Sequence, residues 1–367
     1  MKISLVAQQP SAHDKIWLRE LSRALRAAGH DVTVDTAGSD LPVTGEDRLA
    51  AVPDLAGRLR AKWRRDRPDV VHALRWTSGL AALSATRGLA VPVVVSFGSL
   101  ALAENTVRPA RERGRLEAAI GRSAAAVLAA SSDERAGLVR MGVSRRAITV
   151  VPTGVDPATF TQEGPAALRK AARNAGPRRI IMVGDLAGHM GTGLRSLTRL
   201  PGIEMLIAGG PDNDSLGGDD ACLALARLAK TLAVADRATF TGHVGYDDLP
   251  ALLRSADLMV VTAPHEPDGM SVLAAMACGL PVVAGTKSGA VADIVIDGVT
   301  GLLLPEGRPA LLADRVRKLL AHPMLLSGMS VAAVDRAKSR FSWDRIAAET
   351  LASYEFAVES RRFTAAA

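Results

Sequence analysis

Residues 265–285 read HEPDGMSVLAAMACGLPVVAG, in which an acid, a glycine turn, a helix of small residues and an apolar strand follow one another. Glu266 closes the turn after the apolar run DLMVVTA (257–263), and Pro267-Asp268-Gly269-Met270 leads into the helix. The first amides of such a helix, at Gly269, Met270 and Ser271, suit a phosphate, because N–H groups at a helix start and the helix dipole both favour an anion. Ala274, Ala275, Ala277 and Gly279 keep that helix slim against a sheet. Asp268 works the other way, placing a negative charge where a phosphate would lie. Lys287, in GTKSGAVAD (285–293), follows the next strand and is either a cation for the same phosphate or an exposed loop lysine. In the first half of the chain, His72 and Arg75 fall at the end of the run DVVHA (69–73). Arg75 is there either a contact for an anionic ligand or a plain surface arginine. His189 and His243 sit in loops, as ligand contacts or as solvated histidines.

These residues have to be held by something, and the pattern around them is that of an α/β protein with parallel sheets: short apolar runs alternate with amphipathic helices. The first series of strands is expected at 3–7, 31–36, 69–73, 92–97, 125–130 and 147–152. Leu18, Leu21, Leu25 and Ala28 fall at helical spacing, with Gly29 as the stop. A second series is expected at 179–185, 204–210, 238–242, 257–263, 281–285 and 300–305. Between them lies a polar stretch rich in Ala, Gly and Arg, which reads as a linker. The expected organisation is a first domain over 1–161, a linker over 162–178, a second domain over 179–341, and a helix and tail over 342–367 that cross back onto the first domain. Two doubly wound domains built this way would face one another across a cleft, with ligands at the carboxyl ends of their strands.

Composition narrows the function. Of the 367 residues, 48% are hydrophobic, 23% are charged and only 3% are aromatic. The net charge of +7 calls for an anionic partner or none, and the basic segments lack the interleaved aromatics that stack on bases, so nucleic acid is not expected. Cys222 and Cys278 are the only cysteines, with no C-x-x-C pair and no histidine spaced for zinc; no metal site is expected, and Cys278 reads as structural. The chain opens on strand-like MKISLVA rather than on a secretory leader, and no apolar run reaches the length of a membrane span, so a cytoplasmic location is expected. The basic helix LAGRLRAKWRRDR (55–67) carries Leu55, Leu59 and Trp63 on one face. That face either packs on its own sheet or lies on an anionic membrane, which would put the protein peripherally at the inner face.

Read in order, the pieces resemble the family 4 nucleotide-sugar glycosyltransferases, retaining enzymes of the GT-B fold. The resemblance is carried by PDVVHALRWTSGLAAL (68–83), the stretch 112–156 ending in VVPTGVD, RIIMVGDLAGHMG (179–191), IAGGPD (207–212), the stretch 249–285, DGVTGLLLP (297–305) and FSWDRIAAET (341–350). It implies a donor in the second domain, an acceptor in the first, and no protein nucleophile. It further implies that the leaving diphosphate takes the acceptor's proton on the face it departs from, so that the protein's work is to position substrates and stabilise charge.

Laid on this chain, the family pattern is altered at a set of polar positions. Glu266 holds the place of the first acid, which touches the donor sugar, but Ala274 stands at the second, which touches the ribose. Asp268 stands at the family's Phe; Asp185 and Met190 stand at the Arg and Lys of the V-G-R-L-x-P-x-K-G loop. Gly98 stands at the His of T-F-H. Leu74 stands at the second His of H-x-H, where His72 keeps the first, and the acceptor loop QQPSAHDK (8–15) has no glycine. A charge-assisted hydrogen bond to phosphate is worth about 1.5–3 kcal/mol, and loss of one group that stabilises transition-state charge costs about 10²–10³ in rate. Two readings follow. The first is a transferase that uses a nucleotide sugar as co-substrate and needs no cofactor. In it Glu266 orients the sugar, the 269–271 amides hold its phosphate, Gly184, Gly209 and Gly210 lie near the nucleotide, Lys287 replaces the missing cation, and His72 and Arg75 face a small-molecule or lipid-linked acceptor. The second is a non-catalytic GT-B homologue that binds and regulates a partner protein.

Overall fold

The computed structural model describes residues 1–36, 49–101, 108–167, 178–186, 190–262, 269–286 and 288–366. The first series of apolar runs forms six parallel strands: β1 (Lys2–Ala7), β2 (Asp31–Thr36), β3 (Val70–Leu74), β4 (Val93–Ser96), β5 (Ala126–Ala129) and β6 (Ile148–Val150), in the order β2-β1-β3-β4-β5-β6. The second series forms β7 (Arg178–Val183), β8 (Ile203–Ala208), β9 (Ala238–Gly242), β10 (Leu258–Val261), β11 (Val282–Ala284) and β12 (Gly301–Leu303), in the order β12-β11-β10-β7-β8-β9. All are bridged by helical crossovers, the arrangement that lets parallel strands be buried on both faces.

The chain divides into two compact units, Met1–Gly154 with Trp343–Ala367, and Val155–Ser342. In the first unit, the helix Ala12–Ala27 is capped by Ser11 and closed by Gly29, whose φ of +85° turns the chain so that the His30 N–H donates back to the Leu25 carbonyl. This helix and the C-terminal helix Trp343–Ala366 cover one face of the sheet: Leu18, Leu21, Leu25, Ile346, Tyr354 and Ala357 pack on Ile3, Leu5, Val70 and Val94. Trp343 fixes the start of the returning helix against Gly154, where an added Cβ would lie 2.5 Å from the indole.

The helix Val52–Arg65 lies on the opposite face, and Leu55, Leu59 and Trp63, at 3% exposure or less, belong to the core with Val71, Val95 and Val127. The apolar side that a membrane would need is therefore spent on the protein's own sheet, and the helix turns Asp54, Arg58, Arg64 and Arg65 outward together with the small residues Gly57 and Ala61.

Residues 155–161, expected with the first domain, pack in the second unit, where Phe160 meets Tyr246 edge to face at 5.0 Å. The start of the expected linker is likewise tied down. Arg254 donates to the carbonyls of Pro165 (2.8 Å) and Thr161 (3.1 Å), and the Ala167 amide donates to Ala251 (2.8 Å). Residues 168–177 lie outside the described residues.

Strand order locates where a ligand can enter each sheet. Order reverses once in each, between β1 and β3 and between β7 and β10, and at such a reversal the crossovers leave to opposite faces and open a crevice at the strands' carboxyl ends.

Candidate functional site

At the β1/β3 reversal, the segment 8–15 and the residues after β3, β4 and β5 converge. The Gln8 amide donates to Ser78 Oγ at 2.8 Å, and the next residue, Gln9, takes a left-handed φ of +51°. Ser11 and Asp14 form a reciprocal cap: the Asp14 amide donates to Ser11 Oγ (3.1 Å), while the Ser11 amide (3.0 Å) and hydroxyl (2.8 Å) donate to Asp14 Oδ2. The other Asp14 oxygen accepts from Arg75 Nε (3.1 Å) and Nη2 (2.8 Å). Burial pushes the Asp14 carboxyl up, but Arg75 and the two Ser11 donors outweigh it and hold the group below the ordinary aspartate value. Arg75 is thus in this crevice with its charge already answered, by an aspartate 61 residues away that sequence reasoning passed over. The signal for Asp14 was present as the S-x-x-D spacing of a helix start.

Arg75 and Gly98 are a steric pair. Arg75 has a φ of +69°, unusual for a side chain with a Cβ, and this aims its guanidinium across the end of β4. A Cβ built on Gly98, itself at φ +72°, would lie 2.5 Å from Arg75 Nη1. The absent side chain at position 98 is the space that Arg75 occupies.

Behind this pair, the Glu117 carboxylate, fully buried, accepts from Arg113 Nε (2.7 Å) and the Ala101 amide (2.9 Å), and Arg113 also donates to the Ser99 carbonyl (2.9 Å). These bonds fix the segment that follows Gly98. Glu134, on the first turn of the helix Ser132–Arg140, accepts from the Ala130 amide at 2.6 Å. Burial pushes its carboxyl up to about 7; the Ala130 amide, Arg75 and the Gly98 amide pull down against this, and Glu117 adds to it. The folded protein therefore binds a proton that the unfolded chain releases near 4.5. The stability this gives is complete below that value and is lost as pH rises through about 7, at up to about 1.4 kcal/mol per pH unit. Glu134→Gln is expected to flatten the dependence of the urea midpoint on pH between 5 and 8; an unchanged slope would show that the carboxyl titrates normally.

His72, expected on the acceptor side, lies inside the first unit. It is fully buried in β3, with Nδ1 2.7 Å from Tyr354 Oη of the C-terminal helix, Nε2 2.8 Å from Ser96 Oγ, and Trp17 edge-on at 5.5 Å. Burial pushes its pKa down to about 3, which favours the neutral ring, and no part of the side chain is exposed. Leu74, at the second place of the H-x-H pattern, is likewise core.

Beside the β7/β10 reversal, the ends of β7, β8 and β9 are crowded together. Gly184 (φ +146°) donates to the Ala208 carbonyl at 3.0 Å, and Gly209 (φ +144°) donates to the Gly242 carbonyl at 2.9 Å. A Cβ on Gly209 would sit 1.8 Å from the Gly184 oxygen, and one on Gly210 would sit 2.5 Å from Leu186 Cδ1. Gly269, at φ +70°, turns the chain into the helix Met270–Ala277, and a Cβ there would meet Ile294 Cδ1 at 2.3 Å. Asp185 and His243 are exposed at these strand ends. Met190 and Ala274, standing where the resemblance has a Lys and an acid, are 5% and 1% exposed and belong to the hydrophobic cores on either side of the sheet. After β11, buried Thr286 lies 3.1 Å from the Ser288 hydroxyl and 3.4 Å from Glu306 Oε1, a polar cluster not foreseen from the sequence. Cys278 is buried and its thiol is pushed up to about 12, in keeping with a structural role. Glu266, Asp268, His189 and Lys287 lie outside the described residues. Among the described residues no group of acids, histidines and cysteines is arranged to hold a metal, and no helix is long and apolar enough to cross a membrane.

With this geometry in view, comparison with known proteins is specific. A family model described as Glycosyltransferase Family 4 matches residues 16–159, and one described as Glycosyl transferases group 1 matches residues 167–338. A D-inositol 3-phosphate glycosyltransferase of Frankia alni is 30% identical, over 96% of this chain and 97% of the relative. One of Mycobacteroides abscessus is 34% identical over 80% of this chain and 67% of the relative. Among solved structures, sucrose-phosphate synthase of Thermosynechococcus elongatus superposes with a TM-score of 0.83 at 23% identity, covering 100% of this chain and 99% of that one. HepE of Anabaena, in complex with UDP and glucose, superposes with a TM-score of 0.73 at 20% identity, covering 96% and 100%. Both share the GT-B arrangement of two parallel-sheet units.

Proposed function

The chain belongs to glycosyltransferase family 4, and on that premise we infer that it moves a sugar from a nucleotide-sugar donor to an acceptor hydroxyl with retention of configuration. The observation that carries this reading is the gathering of glycine-crowded ends of β7, β8 and β9 beside one sheet reversal and of polar side chains at the other. Donor binding is assigned to the second unit. Gly184, Gly209 and Gly210 would let a nucleotide approach the backbone closely, and the helix start at Gly269, Met270 and Ser271 would receive its phosphate. Glu266 would orient the donor sugar. The bond from the acceptor oxygen to the anomeric carbon forms as the bond to the diphosphate breaks, and the departing phosphate oxygen takes the hydroxyl proton. Charge growing on that oxygen falls to the helix dipole and to Lys287, since Asp185 and Met190 supply no cation. Asp268, next to the same helix start, makes the donor site atypical.

The alternative of a non-catalytic binding protein rests on the substituted positions alone. Two of these, Met190 and Ala274, have a sufficient reason in core packing, and no separate observation favours it. Titration calorimetry of the purified protein with UDP, GDP, TDP and ADP, with and without Mg²⁺, tests the transfer reading. One nucleotide is expected to bind, and its glucose- or mannose-type conjugates are expected to bind more weakly to Glu266→Ala than to the wild type. Absence of heat from all four up to millimolar concentration sinks the reading.

A further inference from the structure

Near the β1/β3 reversal, two arginines are each matched by a carboxylate. Arg75 places two of its nitrogens on one Asp14 oxygen, and Nη1 lies 3.5 Å from the Phe97 carbonyl. Asp14 is 7% exposed, and its second oxygen is occupied by the Ser11 amide and hydroxyl, so the carboxylate is fixed in place. Deeper in, Arg113 is matched by Glu117. Glu134, with its carboxyl pushed up to about 7, carries part of a further negative charge at neutral pH. Among these described residues, each arginine is matched by a carboxylate, and Glu134 adds a third acid rather than a cation. Lys15 stays exposed on the first turn of its helix.

The arrangement is also held stiffly. Arg75 adopts left-handed backbone to reach Asp14, and Gly98 leaves the space it fills, so releasing the guanidinium to an incoming anion means leaving the buried Asp14 carboxylate without its cation and giving up a fitted position. The guanidinium has five N–H groups; those not directed at Asp14 and Phe97 are available to neutral oxygens, and the side chain is 36% exposed. Hydroxyl groups suit such a surface because each both donates and accepts. A phosphate would bring negative charge against Asp14 and Glu134 for a cation already matched.

We propose that the first unit selects an uncharged polyhydroxylic acceptor through the Arg75–Asp14 pair, so that this chain does not use the phosphorylated polyol for which its relatives are named. The proposal rests on the reading of the chain as a glycosyltransferase whose acceptor binds the first unit. The test compares myo-inositol, D-inositol 3-phosphate and inorganic phosphate on the full chain, by ligand-observed NMR and by the Arg75 Nε–H resonance. Wild type is expected to bind the neutral polyol at least about tenfold more tightly than its phosphate ester, with no shift of the Arg75 resonance by millimolar inorganic phosphate. Asp14→Asn keeps the side-chain shape and frees the Arg75 charge, and is expected to shift that ratio toward the phosphate ester by about tenfold or more. A wild type that prefers the phosphate ester overturns the proposal, as does one in which neither polyol nor phosphate perturbs Arg75; neither comparison needs the variant to fold. Nucleotide calorimetry on the same sample keeps the two ideas apart. Neutral-polyol preference without nucleotide binding sinks the transfer reading and leaves polyol selection only as a binding property of the first unit, whereas nucleotide binding with preference for the phosphate ester sinks the acceptor proposal alone.

Discussion

Gly209→Ala is expected to lower the stability of the protein by about 3–5 kcal/mol and to remove nucleotide binding from whatever still folds. Two effects combine at this position. The φ of +144° lies where a residue with a Cβ is strained, and the methyl would sit 1.8 Å from the Gly184 oxygen, well inside contact distance. Neither neighbour can yield cheaply, since the Gly184 amide is bonded to Ala208 and the Gly209 amide to Gly242, so the ends of β7, β8 and β9 would have to part. Gly202→Ala separates the causes: it has φ +70° and nothing within 4 Å of an added Cβ, so it carries the conformational cost alone, about 1 kcal/mol. Urea midpoints of both variants against the wild type decide the matter, with calorimetry of the tightest nucleotide on each. If the two variants lose equal stability, close backbone approach is not what requires glycine at 209. If Gly209→Ala is strongly destabilised but binds nucleotide normally where folded, these strand ends do not border the donor.

How much of this was legible in the sequence depends on the range of the interaction concerned. The twelve strands appear within two residues of where apolar runs put them, because parallel strands covered on both faces are continuous apolar segments with their own boundaries. The same property hid the role of His72. In β3 every residue is buried, so alternation says nothing about which side chain faces a ligand, and the partner that claims His72 is 282 residues further on. Gly98 was read as a missing histidine, since the guanidinium that takes its space comes from position 75 through an unusual backbone angle that no local pattern encodes. Met190 and Ala274 looked like lost contacts for the same reason: in sequence a substituted polar position is only a loss, whereas in the fold both are core side chains. The basic helix was the opposite case. Its apolar stripe was plain, and only the presence of Val71, Val95 and Val127 beneath it decides between sheet and membrane.

Replacing His72 by Leu is expected to cost about 2–4 kcal/mol, from two lost hydrogen bonds and a Tyr354 hydroxyl left buried with neither solvent nor imidazole to meet it. The same site predicts an acid dependence. A histidine whose pKa falls from 6.5 to about 3 on folding binds fewer protons in the native state than in the unfolded chain. Its effect is therefore absent above pH 6.5 and grows as a loss of stability below it, at up to about 1.4 kcal/mol per pH unit, until the folded value is reached. Glu134 acts with the opposite sign over 4.5 to 7, so the two groups partly offset one another, and variants show them more clearly than the wild type does. His72→Gln, which cannot take up the proton, should make the protein gain stability relative to wild type as pH falls from 6.5 to 5, whereas Glu134→Gln should make it lose stability over the same interval. Because His72 joins β3 to the C-terminal helix and faces no crevice, its variants should keep wild-type turnover per folded molecule once stability is restored by cooling. A His72 variant with wild-type stability and lost transfer would return this residue to the acceptor site and overturn the assignment of β3 as scaffold.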